Sequence, residues 1–489
     1  MVDDVRAKIS SATKWSTFAE ICAKLAAPIV NMILVRLLKP EAFGIVASIT
    51  IITSFADIFT DAGFQKYIIQ HEYETSEELD KGTAIAFTSN FVLSVIIFGI
   101  ILLLRNKLSS AIGCPDAAVG VVVASLSVMC TAFSGTLIAR FKRELDFQPI
   151  FMIRVTSALV PLIVTVPIAI WLKSYWAIVV GSVLQQFYIA IMSTCLSKWK
   201  PRFYLRIELF KDMLFYSIWN LCESVSIWFT SQASVFIVAN VLDEYYLGLY
   251  KTGITAINSY LAIITASLTP VLFSVLSRYQ NQNSRFIATV NKFQILLALL
   301  VLPLGAGIFM YRKLAVLILL GERWFEVTTL LGLWALISTI TITFSNTACE
   351  VYRSKGKIRI SLILQCIFLA YYVPAVYFSA KSGFQQLCYV GCFIRLVPVL
   401  FDIIVLKAII GLDVRQVIRN VKIPVLATII MCIFAMLLQM MSDAIWWQLV
   451  SIALCAGVYV AVILSFTSTR KIIQYIPMAH RVLEKFGIK

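Results

Sequence analysis

The stretch Ile33-Leu34-Val35-Arg36-Leu37-Leu38-Lys39-Pro40-Glu41-Ala42-Phe43-Gly44 joins two apolar segments, one over residues 15–36 and one over 43–64. About 20 apolar residues suffice for a helix to cross a bilayer, and the polar link, which holds a proline, is short enough for a turn. The two segments therefore read as an antiparallel pair of membrane helices. Each carries ionisable residues within its apolar length: Glu20 and Lys24 one turn apart in the first, Asp57 and Asp61 one turn apart in the second. Such groups face a bundle interior or a water-filled cavity, because lipid solvates them poorly. At 100° per residue, Glu20, Lys24 and Asn31 project within about 40° of one another. Thr50, Thr53, Asp57 and Asp61 likewise share a face. Arg36 points to nearly the opposite side at the outer end, where its stem can snorkel to the surface.

Working outward, composition sets the class. Of the 489 residues 60% are hydrophobic and 14% charged, against about 25% charged in soluble domains. The chain is an all-α polytopic membrane protein with about fourteen spans and little room for a soluble domain. Glu20 and Lys24 interrupt the first apolar segment and no small-residue cleavage site follows it, so it reads as a retained helix and not a signal peptide. The net charge of +16 is a topology signal. With both termini cytoplasmic, roughly 30 of the 42 Lys and Arg fall on the cytoplasmic side and roughly 10 outside. A nucleic-acid partner does not fit that distribution. The eleven cysteines are scattered through apolar segments in no metal-ligand spacing, and Cys388 and Cys392 suit packing one helical turn apart. With only His71 and His480, no clustered histidines and no phosphate-cradling glycine loop, the chain reads as neither an enzyme nor the holder of a cofactor or metal.

Spans three to six fall at 83–104, 118–139, 150–172 and 175–197, with a polar cytoplasmic connection from Gln65 to Lys81 and Arg154 just inside the end of span five. Arg140-Phe-Lys-Arg-Glu-Leu-Asp-Phe147 and Lys198-Trp-Lys-Pro-Arg-Phe-Tyr-Leu-Arg206 interleave cations with aromatics and read as interfacial anchors. The alternative is that Arg140 or Arg143 collects an anionic lipid substrate. The chain then starts again: Ile237 to Leu242, four residues and Leu247-Gly248 echo Leu34 to Leu38, four residues and Phe43-Gly44, the glycines standing 204 positions apart. Glu223 takes a position near that of Glu20. An even number of crossings separates the matched helices, so the repeat is parallel, and such repeats place a substrate site at their interface. The expected organisation is a six-helix bundle over 1–200, a second over 201–410, a further helix pair over 411–467 and a basic tail over 468–489.

In the second half, Lys251, Asn258, Thr265 and Thr269 line one face of span eight, and Thr339, Asn346 and Glu350 one face of span ten. Arg395 lies within span twelve with Asp402 two turns on. A structural pair accounts for Arg395 as well as a ligand contact does. Spans thirteen and fourteen, at 423–441 and 447–467, carry no internal charge.

The outer turn Arg36-Leu-Leu-Lys-Pro-Glu-Ala-Phe-Gly44, the exit Asp61-Ala-Gly-Phe-Gln65 and the Arg140 to Phe147 segment, in that order, resemble the multidrug/oligosaccharidyl-lipid/polysaccharide exporter superfamily. Within it the chain resembles the polysaccharide-transporter branch, the lipopolysaccharide and exopolysaccharide flippases, over essentially its whole length. The resemblance implies two bundles in a V that open alternately across a bacterial inner membrane. The cargo it implies is an undecaprenyl-pyrophosphate-linked oligosaccharide moved to the periplasmic leaflet, with glycan-assembly proteins as partners. A diphosphate calls for cations in a wet cavity, here Lys24 with Arg154 or Arg395 and Lys251, and a glycan calls for amides such as Asn31, Asn258 and Asn346. Lys24 can equally pair with Glu20 within its helix. Glu20, Asp57, Asp61 and Glu223 either exchange H+ or Na+ or neutralise buried cations. A monomer is the simplest expectation. The rival classes are a cation-coupled drug exporter of the same superfamily, disfavoured by Lys24 and Arg395, and a glycan polymerase or ligase.

Overall fold

Backbone N–H and C=O groups in a bilayer must be satisfied within the chain, which leaves helices as the economical solution for a sequence of this hydropathy. The computed structural model describes residues 26–466 except 62–63, 72 and 205, without the side chains of 61, 66, 70, 207–220, 222–223, 267, 270, 358 and 414. Of these residues 89% are helical, and no strand occurs among those described. The chain forms two compact units, Met1–Thr252 and Gly253–Lys489.

The first unit contains α1 (Ala26–Leu37), α2 (Pro40–Asp61), α3 (Phe64–Gln70), α4 (Ser76–Ala111), α5 (Ala118–Arg143) and α6 (Phe147–Val160). After a π-helical turn at Pro161–Thr165 come α7 (Val166–Leu172), α8 (Trp176–Leu196) and α9 (Ile207–Val241). Helix α5 lies against α2, α4 and α8, and α9 packs on α2. Helix α10 (Glu244–Arg278) runs from the first unit into the second. The second unit continues with α11 (Asn283–Met310), α12 (Arg312–Leu319), α13 (Thr328–Thr341), a π turn at Ile342–Asn346, α14 (Thr347–Ser354) and α15 (Ile358–Lys381). It ends with α16 (Phe384–Phe393), a 3-10 turn at Ile394–Leu396, α17 (Val397–Ile410), α18 (Val414–Gln439) and α19 (Ile445–Ser465).

Eleven helices are long and apolar enough to cross a membrane, or twelve if α10, bent by 40° after Ala266, counts as one span. The expected fourteen differs at two places. Helix α1 is described for only part of span one, and span twelve is divided at Ile394–Leu396. Span three also begins earlier than expected, at Ser76 and not at residue 83. The cause is a capping arrangement: Thr75 accepts from the Glu78 amide at 3.2 Å, and the Glu78 carboxylate accepts from the Glu74 amide at 3.0 Å. Those bonds satisfy the orphan donors of a helix start and carry the helix beyond its apolar length.

Two prolines decide how helices pair. Proline has no N–H, so the carbonyl four residues earlier loses its helical partner. For Pro161 that carbonyl is Ser157, and Gln185 Nε2 of α8 donates to it at 3.0 Å. For Pro303, inside α11, it is Leu299, and Tyr459 Oη of α19 donates to it at 2.8 Å. A second polar contact, Asn420 Nδ2 of α18 to Asn291 Oδ1 of α11 at 2.7 Å, fixes the last helix pair to α11.

The glycines of the 204-residue repeat meet each other. A Cβ added to Gly44 would strike the backbone carbonyl of Glu244, and one added to Gly248 would strike that of Pro40. Glu244 follows Pro40 at the same 204-residue spacing as Gly248 follows Gly44. The starts of α2 and α10 thus touch backbone to backbone in a reciprocal contact that only glycine leaves room for.

Both basic residues considered for lipid capture serve the fold instead. Arg140, its side chain 14% exposed, pairs with Asp80 at 2.5 Å and Glu144 at 2.9 Å and lies over the Trp199 ring. Arg143 donates to the carbonyls of Ile68 and His71 at 2.6 and 2.5 Å and covers the Tyr73 ring. Burial pushes the Tyr73 phenol up to about 12. Lys355 does the same in the second unit, donating to the Gln280 carbonyl at 2.5 Å over the Phe286 ring. The nine described cysteines are all unpaired thiols, with Cys388 and Cys392 both buried.

Candidate functional site

Helices α1, α6 and α8 of the first unit border an open cavity of about 420 Å³ lined in part by Asn31, Leu34, Arg154, Ser157, Pro161 and Gln185. Its construction follows from the proline in its wall. Pro161 ends the regular hydrogen-bond ladder of α6, the chain widens into the π turn, and Gln185 crosses from α8 to take the freed Ser157 carbonyl. The Ser157 hydroxyl donates to the Arg154 carbonyl at 3.1 Å, and the Arg154 side chain lies two turns before the proline and exposed. Arg154 is the one charged residue among the described lining. A guanidinium fork beside amides and hydroxyls in a mostly apolar wall is suited to a phosphate or a sugar hydroxyl.

A second polar group occupies the second unit. The Arg395 guanidinium carbon lies 3.8 Å from the centroid of the Trp334 ring, and its Nη1 donates to Ser338 Oγ at 3.1 Å. Trp334 Nε1 in turn donates to Asn258 Oδ1 at 3.0 Å. The 3-10 turn that breaks span twelve carries Arg395, and Trp334 and Ser338 stand one turn apart on α13. Arg395 does not pair with Asp402, which accepts instead from Tyr352 Oη at 3.0 Å.

Of the residues expected from sequence, Asn31 and Arg154 meet in the first cavity, and Asn258 and Arg395 meet through Trp334. Lys251 is half-buried on α10 and Asn346 is exposed at the end of the π turn; neither lines the cavity. Asp57 is half-buried on α2, one turn from Ser54, which accepts from Trp228 Nε1 of α9 at 2.9 Å. Glu20 and Lys24, and the side chains of Asp61 and Glu223, lie outside the described residues. Sequence inspection missed Ser157, Gln185, Trp334 and Ser338. The signal for Gln185 was available in the pairing of a proline in one span with an amide in the next.

Comparison with known proteins agrees with this architecture. In structure the chain matches the lipid II flippase MurJ in its inward closed conformation, with a TM-score of 0.73 at 13% identity, covering 91% of this chain and 97% of that one. The likeness is one of fold. In sequence it is 23% identical over 479 residues to an uncharacterized membrane protein in the cps region of Klebsiella pneumoniae, covering 96% of this chain and 97% of that protein. It is 19% identical over 428 residues to the lipopolysaccharide biosynthesis protein WzxC of Escherichia coli K12, covering 86% and 85%. A family profile described as polysaccharide biosynthesis protein matches residues 33–329, more than half of the length. This multi-pass membrane chain belongs to the polysaccharide biosynthesis protein family.

Proposed function

We propose that the protein is a flippase for lipid-linked oligosaccharides, a transporter and not an enzyme, working in a bacterial inner membrane with both termini in the cytoplasm. The observation that carries this is the cavity of the first unit, where Arg154 stands with Asn31, Ser157 and Gln185 inside a set of membrane-length helices. A pyrophosphate requires a cation in a cavity that water reaches, a glycan requires amides and hydroxyls, and a polyprenyl tail requires only lipid. Arg154 supplies the first need and the neighbouring polar side chains the second. Lys24, which projects to the side of Asn31 in the sequence, is proposed as a second pyrophosphate contact. Arg395, held flat on Trp334, and Lys251 are proposed to meet the same anionic group at another stage of transport. The cargo is proposed to be an undecaprenyl-pyrophosphate-linked repeat unit for a surface polysaccharide, moved toward the periplasmic leaflet by alternating access in a single chain.

The test is the pool of lipid-linked oligosaccharides in a deletion strain of the native host. Complete repeat units should accumulate on the cytoplasmic face, wild-type protein should relieve them, and Arg154→Gln at equal abundance should not. Hydrogen bonds to a charged group contribute about 1.5–3 kcal/mol, so the variant should flip roughly ten- to a hundredfold more slowly. Full complementation by Arg154→Gln would remove the cavity from the pathway, and an unchanged lipid pool in the deletion strain would remove the function.

A further inference from the structure

The second unit contains a buried acid that no step above uses. Asp402, on α17, is 6% exposed, and its Oδ1 accepts a hydrogen bond from Tyr352 Oη of α14 at 3.0 Å. Ser345 lies beside the same carboxyl, on the π turn against which α17 packs. Its side chain is 9% exposed and its hydroxyl forms no hydrogen bond to any group other than this carboxyl. Tyr371 of α15 brings a further buried hydroxyl without a partner, within electrostatic reach of Asp402. The other ionisable groups around it are accounted for. Cys349 is a thiol on α14, Glu350 pairs with Arg353 at 3.1 Å, Arg395 lies over Trp334, and Lys407 of α17 is exposed. Among the described residues no Lys or Arg forms an ion pair with Asp402.

An ionised carboxylate in this position would carry an uncompensated charge out of water, which costs several kcal/mol. A neutral acid fits all the surrounding groups: Tyr352 donates to one oxygen, and the acid O–H on the other can donate to the Ser345 oxygen. One carboxyl and three hydroxyls make a smaller oxygen set than the six or more that Ca2+ and Mg2+ gather. The π turn adds an independent indication, since such turns recur at functional sites and at points where a helix changes register.

We propose that Asp402 is a proton-binding site: the acid is protonated in the arrangement described here, with its O–H donated to Ser345, and releases the proton when α17 parts from the π turn and water reaches it. Proton uptake and the packing of α17 on the π turn and α14 are then one equilibrium, so each shifts the other by the same factor. The site itself does not rest on the flippase reading; only its use in transport does.

The experiment is infrared difference spectroscopy of the full-length protein in lipid on lowering the pH, together with lipid-linked oligosaccharide flipping in proteoliposomes. The expected result is a protonated-carboxyl stretch in wild type that is lost in Asp402→Asn and displaced in Ser345→Ala, which removes the acceptor and leaves the charge unaltered. Flipping by wild type should change with pH with the limiting slope of one group, about tenfold per unit, and Asp402→Asn should flatten that profile to less than about twofold. Persistence of the band in Asp402→Asn, or its absence from wild type, overturns the proposal. Loss of the band on adding Na+ at fixed pH overturns it in favour of a sodium site. A band that behaves as expected in a protein that flips nothing supports the proton site and overturns the flippase reading alone.

Discussion

Replacing Gly248 by alanine places a methyl group against the carbonyl of Pro40, 2.7 Å from its carbon and 3.1 Å from the amide nitrogen of Gly44. Carbon contacts settle near 3.5–4.0 Å, so α10 and α2 must separate on the order of 1 Å at this point. Neither neighbour can yield as a flexible side chain would, because both are backbone. Overpacking of this kind costs about 1–3 kcal/mol, which for a unit of this size lowers Tm by roughly 2–12 °C. Gly44→Ala should cost a similar amount through the Glu244 carbonyl. The double variant should cost less than the sum, because the first separation already relieves the second clash. The protein carries its own reporter. Cys114, 1% exposed, bonds Ser48 of α2 at 3.3 Å, and burial pushes its thiol up to about 11, so it stays unreactive until the fold opens. With the exposed thiols removed by Cys195→Ser and Cys366→Ser, a thiol-reactive dye followed during heating reads the transition. Gly99→Ala, on α4 with nothing within 4 Å of the added carbon, is the control and should be neutral or slightly stabilising. Gly248→Ala and Gly44→Ala proteins that melt with the Gly99 control would refute the close backbone contact.

Further outcomes follow from the polar contacts. Gln185→Leu strips the donor from the Ser157 carbonyl and should destabilise the first unit by about 1–3 kcal/mol. Arg154→Gln, on an exposed side chain, should stay within about 0.5 kcal/mol of wild type in the dye assay while slowing transport, so melting and flipping together separate scaffold from site. Tyr459→Phe should cost about 0.6 kcal/mol, the usual worth of a hydrogen bond between membrane helices, and should raise amide exchange at the residues following Leu299 in α11. Trp334→Leu should weaken the hold on Arg395 by about 0.5–2 kcal/mol, the range of a cation–π contact. Arg395→Lys, which keeps the charge and loses the flat stack, should impair transport by more than it impairs stability.

Much of the architecture was legible because membrane burial imposes one periodicity over long stretches. The apolar segments flanking Arg36 to Gly44 gave the spans, whereas the 204-residue spacing of Gly44 and Gly248, read as a repeat, did not foretell that the two glycines meet backbone to backbone. The errors arose where local chemistry overrides hydropathy. The Thr75 and Glu78 cap extends α4 through polar residues that a hydropathy reading assigns to a loop. Span twelve breaks at Arg395, where Pro398 lacks the N–H that would bond the Ile394 carbonyl. The candidate site was legible residue by residue and not as a constellation. Arg154 stood out as a charge near a span end, but its neighbours Ser157 and Gln185 are ordinary polar residues until Pro161 is seen to free a carbonyl between them. Asp402 shares a sequence face with Arg395, yet its bond goes to Tyr352 on another helix. Helical projection describes one helix and says nothing about which neighbour it meets.

The two proline-freed carbonyls bear on the order in which the chain can mature. Ser157 and its donor Gln185 are 28 positions apart, in successive spans, so the first defect is repaired as soon as the next helix enters the bilayer. Leu299 and Tyr459 are 160 positions apart. Helix α11 therefore waits through the insertion of every helix between them with one carbonyl facing lipid or a provisional partner, and reaches its final form only once α19 arrives. The last helix pair, uncharged over 423–441 and 447–465, thus supplies the hydrogen bond that completes a helix made long before it.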